Sequence, residues 1–484
     1  PLQTMQTVSI PTLSFDRFAG ILGVRGARHL RQTVTDAQEI LGQSAMWHVN
    51  STATGGGVAE MLQTLLGYER GAGLDARWLV IEGDAPFFAL TKRIHNRLHG
   101  RLGDGGELGE AEHAHYAAVI NRNAREALRR VEAGDVVILH DPQTAGLARQ
   151  MSDLGATVVW RCHVGRDEMN RAAREAWAFL KPYLQYVDAF VFSRACYVPT
   201  WLASHPVFII PPAIDAFSVK NEPMGRATCR AILKHIGLLS RTVANGDLDF
   251  TRLDGSVGRV ERRASITQTG PVPGWNVPMV VQVSRWDPLK DMVGVVRGFA
   301  DRIHRMGDAH LVLVGPDVSG VKDDPEGAQV LDDCIARWHR LPRRVQDRVH
   351  LVCLPMDDVE ENAVMVNAIQ RHATIIVQKS LHEGFGLTVT EAMWKGRPIV
   401  ASAVGGIQDQ IVDGLHGLLL QDPRDTGAMG AAVQRLLENH ALARRLGRNA
   451  RSRAVTKFLG PRQLMQFVDL LFSLQGKRRK KKAA

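Results

Sequence analysis

From Met46 onward, short runs of apolar residues alternate with longer stretches whose apolar positions recur at helical spacing. The runs MWHVN (46–50), RWLVIEG (77–83), DVVILHD (135–141), ATVVWRCH (156–163), AFVFS (189–193) and VFIIP (207–211) are continuous rather than strictly alternating. Continuous apolar strands are what a parallel sheet covered by helices on both faces requires. Between the first two runs, VAEMLQTLLGYERGAG (58–73) spaces its apolar residues as a helix does and ends on glycine. Two prolines in IIPPAID (209–215) break the rhythm, and a second series follows. It comprises MVVQVS (279–284), HLVLVG (310–315), VHLVCL (349–354), TIIVQ (374–378), PIVASA (398–403) and GLLL (417–420). Strands alternating with helices predict an α/β fold, here two Rossmann-like doubly wound domains.

The expected division is 1–212 and 213–456, followed by an amphipathic helix over 457–475 that packs back on the first domain. A chain of 484 residues is too long for one ordinary core, which agrees with two domains. Residues 241–275 show neither period, are rich in Gly, Arg and Thr, and read as an insertion or mobile loop.

The formal charge of +10 suggests a polyanionic partner until it is located. Six positive charges, Lys477 to Lys482, sit in the tail at 476–484, leaving about 10 − 6 = +4 for the body. Such a run is expected to be a disordered, solvated arm, with an anion or membrane-surface contact as the alternative. No pattern of an RNA-recognition motif, helix-turn-helix or zinc finger accompanies it, so no nucleic-acid partner is expected. The five cysteines (Cys162, Cys196, Cys229, Cys334, Cys353) are scattered without ligand spacing, as in reduced, cytoplasmic chains. No leader pattern opens the sequence and no apolar run approaches the length of a membrane span.

Ligands of open α/β sheets gather outside the carboxyl ends of the strands. Several polar groups fall at such ends. Gly55, Gly56 and Gly57 follow the first run and open a helix, where bare N–H groups can meet an anion; a flexible turn is the alternative. His140 and Asp141 end one strand, and Arg161 and His163 share one face of the next; structural, hydrogen-bonded histidines are the alternative. In QVSRWDPLKD (282–291), Asp287 and Pro288 look like an N-cap and first helical residue. Arg285 and Lys290 then lie where a helix dipole disfavours cations, unless a bound diphosphate is present; solvated loop cations are the alternative. EGFGLTVTE (383–391) places Glu383 at a strand end and Glu391 at a helix start, with Gly384 and Gly386 between them. Thr388 to Glu391 also fits a capping box, the alternative for Glu391.

These residues resemble the retaining two-Rossmann-domain (GT-B) glycosyltransferases of family 4. The shared features are the E-x7-E of Glu383 and Glu391, the Arg285…Lys290 pair and the glycine loop after the first strand. The segments VNSTATGGGVAEML, HDPQ, WRCHV, PPAIDAFSVKN, VSRWDPLKD and EGFGLTVTEAMWKGRPIVASAVGGIQDQIVDG are similar to the glycosyltransferring trehalose synthases and their trehalose phosphorylase relatives. GGIQDQI lacks the Pro-Glu usual after this Gly-Gly in generic members, which favours the trehalose subgroup.

The resemblance implies two domains facing each other across a cleft, the first for the acceptor and the second for a nucleotide sugar. It makes Arg285 and Lys290 a diphosphate clamp and gives Glu391 the ribose. Glu383 with Gly384, Phe385, Gly386, Leu387 and Thr388 would hold the donor sugar, Gly56 and Gly57 would close over it, and Asp141, Arg161 and His163 would line the sugar pocket. The implied reaction moves glucose from a nucleoside-diphosphate glucose to D-glucose, giving α,α-trehalose with retention. A phosphorylase that yields glucose 1-phosphate and glucose is the alternative, followed by another family-4 hexosyltransferase or a non-catalytic protein that binds through the basic tail. No D-x-D sits at a convincing strand end, so no metal or other cofactor is expected, the fixed cations taking that part. Partners are expected to be small molecules, with a homodimer left open.

Overall fold

In the computed structural model, the described residues are 5–54, 57–240, 246–318 and 325–483, of which residue 325 and residues 476–483 are described by backbone alone. Gly55, Gly56 and part of the 241–275 segment therefore lie outside the described residues. The chain divides into two compact units, Pro1–Ala213 with Phe458–Ala484, and Ile214–Lys457.

The first unit holds β1 (Gln6–Thr7), β2 (Met46–Asn50), β3 (Ala76–Val80), β4 (Val136–His140), β5 (Thr157–Cys162), β6 (Ala189–Phe192) and β7 (Val207–Ile209). They form one sheet in the order β1-β3-β2-β4-β5-β6-β7, parallel except for β1, which runs antiparallel to β3. Chain order reverses between β2 and β4. One face of these strands carries Trp47, Val49, Leu139, Val158 and Trp160 into the main core. Strand alternation sends His48, His140 and Arg161 to the opposite face, where they are also buried. The second unit holds β8 (Asp249–Thr251), β9 (Val257–Arg259), β10 (Ser265–Thr267), β11 (Met279–Val283), β12 (His310–Pro316), β13 (Val349–Leu354), β14 (Ile375–Gln378), β15 (Ile399–Ser402) and β16 (Leu418–Leu420). Its main sheet runs β10-β13-β12-β11-β14-β15-β16, with only β10 antiparallel, and chain order reverses between β11 and β14.

The helices that matter below are α1 (Ala19–Leu41), α2 (Gly57–Gly71), α3 (Arg226–His235), α4 (Met292–Ala300), α5 (Val359–His372), α6 (Leu387–Trp394) and α7 (Gly460–Ala483). α7 returns to the first unit and packs on α1, α2 and β5.

Two expectations need correction, and one helix went unread. The backbone of the basic tail is helical as far as Ala483 rather than a disordered arm. Lys and Arg are good helix formers, and extending a nucleated helix needs no second nucleation. Residues 246–275 are not a loop throughout: β8 and β9 form an antiparallel pair, and β10 adds an edge strand to β13. Strands of three residues are too short to show a period, and this segment is held from afar. Arg252 bridges Asp358 at 2.5 Å and Glu360 at 3.2 Å, and Arg262 pairs with Glu361, all at the start of α5. Finally, α1 precedes every element read from the sequence.

Candidate active site

A reversal of strand order leaves a crevice at the carboxyl ends of the flanking strands, because their connections leave toward opposite faces. In the first unit those ends are Asn50 of β2 and His140 of β4. Asp141 follows β4 in a left-handed conformation, φ 62°, uncommon for a residue with a side chain. Its Oδ1 accepts the His163 backbone N–H at 2.8 Å, which joins the ends of β4 and β5. Below it the imidazoles form a column: His140 Nδ1 lies 2.9 Å from His163 Nε2, and His140 Nε2 lies 3.0 Å from His48 Nδ1. Neighbouring rings stack at 5.2 and 5.3 Å. The column ends on Glu69 of α2, whose Oε2 is 3.5 Å from His48 Nε2.

Burial sets the charges here. It holds His140 well below its ordinary value, with His163, His48 and Arg161 adding repulsion. His163 is lowered in the same way, by burial first, then Arg161 and His48. Asp141 keeps some exposure, yet protein crowds it on most sides, and desolvation lifts its carboxyl to about 7 against the opposing pull of the His163 N–H and Arg161.

Arg161 shares this face but is 0% exposed, which does not fit the expected sugar-lining role. Both terminal nitrogens donate to the Gln463 amide oxygen at 2.8 Å, with the amide oriented to accept, and the guanidinium lies 5.2 Å from the Phe467 ring centre. Two residues of α7 therefore cover it. Gly57 begins α2, and its partner in the expected closure, Gly56, falls outside the described residues.

In the second unit the reversal lies between β11 and β14. The Arg285 side chain, just beyond β11, is 73% exposed and 3.4 Å from Asp287. Asp287 caps a short 3-10 turn, Pro288–Lys290, through the Leu289 N–H at 2.8 Å, rather than a long helix. Asp291, left-handed at φ 44°, is the cap of α4 and pairs with the fully buried Lys379. Lys290 Nζ reaches Glu383 Oε2 at 2.6 Å, and Ser380 Oγ donates to the same oxygen at 3.1 Å. Lys290 and Glu383, expected to act on phosphate and sugar separately, are thus directly paired.

The 383–386 loop is seated on Gly405 and Gly406. A Cβ on Gly405 would fall 1.7 Å from the Glu383 carbonyl oxygen, so no other residue fits there, and the Gly406 N–H donates to Gly384 O at 3.0 Å. Gln410 binds the Phe385 carbonyl at 2.6 Å and the Thr390 hydroxyl at 2.7 Å. Gly386 is left-handed and caps α6, so Leu387 and Thr388 already lie in the helix. The Thr388 hydroxyl donates to Gln378 at 3.0 Å, and the capping-box reading of Glu391 fails. Glu391 is 3% exposed, 3.0 Å from Lys220 Nζ and 3.3 Å from Gln370 Nε2.

The structure thus unites Asp141 with His163 in one unit, and Lys290 with Glu383 in the other, while Arg285 is exposed and meets Asp287, and Glu391 is buried. Sequence reading missed His48, Glu69, Lys220, Gln410 and Gln463. Only His48 carried a local signal, being polar in an apolar strand on the same parity as Asn50. Among the described residues no group of three or more His, Cys, Asp or Glu side chains is placed to hold a metal ion, and no helix is long and apolar enough to cross a membrane.

Comparison with known proteins bears on both units. A family model described as the N-terminal domain of trehalose synthase matches residues 48–199, and one described as group 1 glycosyl transferases matches residues 274–453. A trehalose synthase of Rubrobacter xylanophilus is 34% identical over 452 residues, covering 92% of this chain and 95% of that one. A trehalose phosphorylase of Grifola frondosa is 26% identical over 408 residues, which are 78% of this chain and 50% of its own. Among solved structures, an α,α-trehalose 6-phosphate synthase of Burkholderia multivorans superposes with a TM-score of 0.66 at 14% identity, over 91% of this chain and 99% of that one, a likeness of fold. With a third of its residues shared over nearly the full length of both chains, the protein belongs to the trehalose synthase family of glycosyltransferases and is a hexosyltransferase.

Proposed function

We propose that the enzyme transfers glucose from a nucleoside-diphosphate glucose to the anomeric hydroxyl of D-glucose, forming α,α-trehalose with retention. The bond from C1 to the diphosphate oxygen breaks, and a bond from C1 to the acceptor oxygen forms on the same face. The acceptor's proton passes to the departing diphosphate. The observation that supports this most is the set of groups following β11 and β14, where Arg285 is exposed to solvent five residues ahead of Lys290, itself paired with Glu383. Arg285 and Lys290 meet the charge that develops on the leaving group, which preorganised donors stabilise. Glu383, already an ion-pair partner, positions the donor sugar rather than attacking it. Asp141 and His163 take the sugar hydroxyls, with the histidine column holding His163 in place. Incubation with UDP-, ADP- or GDP-glucose plus glucose, with NMR identification of the product, tests the reading. A disaccharide other than α,α-trehalose, or none with any donor, would overturn it.

One observation favours a second reading. Glu391 is already engaged by Lys220 and Gln370, and a carboxylate so occupied is poorly placed to take a ribose. A phosphorylase has no ribose to hold. Formation of glucose 1-phosphate from trehalose and phosphate, without any requirement for nucleotide, would select it.

A further inference from the structure

A second cavity, of about 440 Å³, opens in the second unit at the other end of the sheet. Pro278 and Thr374, which bound it, immediately precede β11 and β14, whereas Arg285 and Glu383 follow the carboxyl ends of those strands. A strand of five residues spans roughly 16 Å, so the two places are distinct. Around the cavity stand Arg226 at the first position of α3, Arg371 and His372 at the end of α5, Arg397 ahead of β15, and Trp275. No carboxylate is among its described lining residues.

Three guanidiniums facing one cavity repel each other. Arg371 is lowered by burial first, then by Arg397 and Arg451. Arg397 is lowered by burial, with Arg226 adding repulsion. Part of each is used structurally: Arg371 Nη2 donates to the carbonyls of Asn221 and Glu222 at 2.8 and 2.7 Å, and Arg397 Nη1 to Ala373 at 3.0 Å. The Arg226 side chain has no ion pair or hydrogen bond among the described residues, and it sits at a helix start, where a cation is unfavourable and an anion favourable. His372 Nε2 is buried without a hydrogen-bond partner. Its ring lies tilted against Trp275, centres 4.3 Å apart, and the Arg230 guanidinium lies 4.4 Å from the Trp275 ring centre.

We propose that this cavity is a second ligand site that takes a phosphate monoester of sugar size, and that its occupancy is felt at Glu391. Guanidinium forks match phosphate oxygens in pairs, and a dianion reverses the repulsion among the three arginines. The cavity is larger than phosphate needs and is walled partly by Trp275, which fits a hexose body. The link to Glu391 is continuous. Arg371 holds the Asn221 carbonyl, and Lys395 Nζ donates to Asn221 Oδ1 at 2.9 Å and to Gln370 Oε1 at 2.7 Å. Gln370, next to Arg371, donates in turn to Glu391.

The test is calorimetric titration of the full chain with glucose 6-phosphate and, separately, with inorganic phosphate. Wild type is expected to bind the sugar phosphate, with inorganic phosphate at least tenfold weaker. Arg226→Glu, an exposed position whose change does not threaten folding, is expected to weaken binding at least tenfold, whereas Arg285→Ala leaves it intact. No binding by wild type would overturn the site. Loss in Arg285→Ala with retention in Arg226→Glu would place the ligand at the β11/β14 reversal instead, and equal affinity for the two probes would overturn the sugar body. Saturating glucose 6-phosphate is also expected to shift the KM for nucleotide sugar in wild type and not in Arg226→Glu. An unmoved KM in wild type would overturn the link to Glu391. Because the titration needs no turnover, its outcome is independent of the proposed reaction.

Discussion

At the reversal of strand order in the first sheet, the groups that meet are imidazoles held neutral by burial and one carboxyl lifted to about 7. At the reversal in the second sheet they are an ammonium and a carboxylate in a 2.6 Å ion pair, with the exposed Arg285 guanidinium on the segment that follows β11. The crevices arise from the same rule of topology and differ in electrostatics. A neutral, hydrogen-bonding surface suits hydroxyls, whereas fixed cations suit a leaving diphosphate. In each, one aspartate with a left-handed backbone, Asp141 or Asp291, marks the turn out of the sheet.

The sharpest way to break this contrast is Arg285→Ala. Turnover is expected to fall about 100-fold or more, the usual cost of one charge-stabilising donor. Near-normal turnover would mean that the second crevice does not work by charge. Next in size, Glu391→Gln separates the two readings: a Glu391 that turns from Lys220 to a ribose gives a KM for nucleotide sugar about tenfold higher, the worth of one charge-assisted hydrogen bond, with little change for glucose. Equal effects on both substrates would remove the ribose assignment.

The first crevice is probed by pH. Imidazoles kept neutral mean that the folded chain binds fewer protons than the unfolded chain once pH falls below about 6.5, so they cost stability toward acid. Asp141 has the opposite sign: its contribution is full below the unfolded value and is lost as pH rises through about 7. His140→Asn is therefore expected to flatten the acid limb of melting temperature by several degrees, and Asp141→Asn the limb between pH 4 and 7. Limbs unchanged in both variants would mean that neither His140 nor Asp141 is shifted by the fold. Smallest of all is the expected effect of a chelator, namely no change in rate; strong inhibition would bring a metal into the second crevice.

Most of the sheet architecture was readable because buried parallel strands are continuous apolar runs, and β2 and β13 fall on the residues read from sequence. The hairpin of β8 and β9 was not readable, since three-residue strands have no period and their anchors, Asp358 and Glu360, lie about a hundred residues away. The same holds at the sites. Glu383 and Glu391 stand out by spacing, but nothing near Glu391 announces Lys220, and nothing near Arg161 announces Gln463. Partners brought together only by the finished fold leave no local trace.

That last pair has a consequence for how the chain is made. The helix that covers Arg161 is made after the whole of Ile214–Lys457, while the sheet that needs it is made before that unit. The unit formed by Ile214–Lys457 has all of its sequence available earlier and can be completed while its predecessor still waits for α7. Until α7 is made, the Arg161 guanidinium has no lid, and a nascent chain stalled before Gln463 would leave it uncovered beside the histidines.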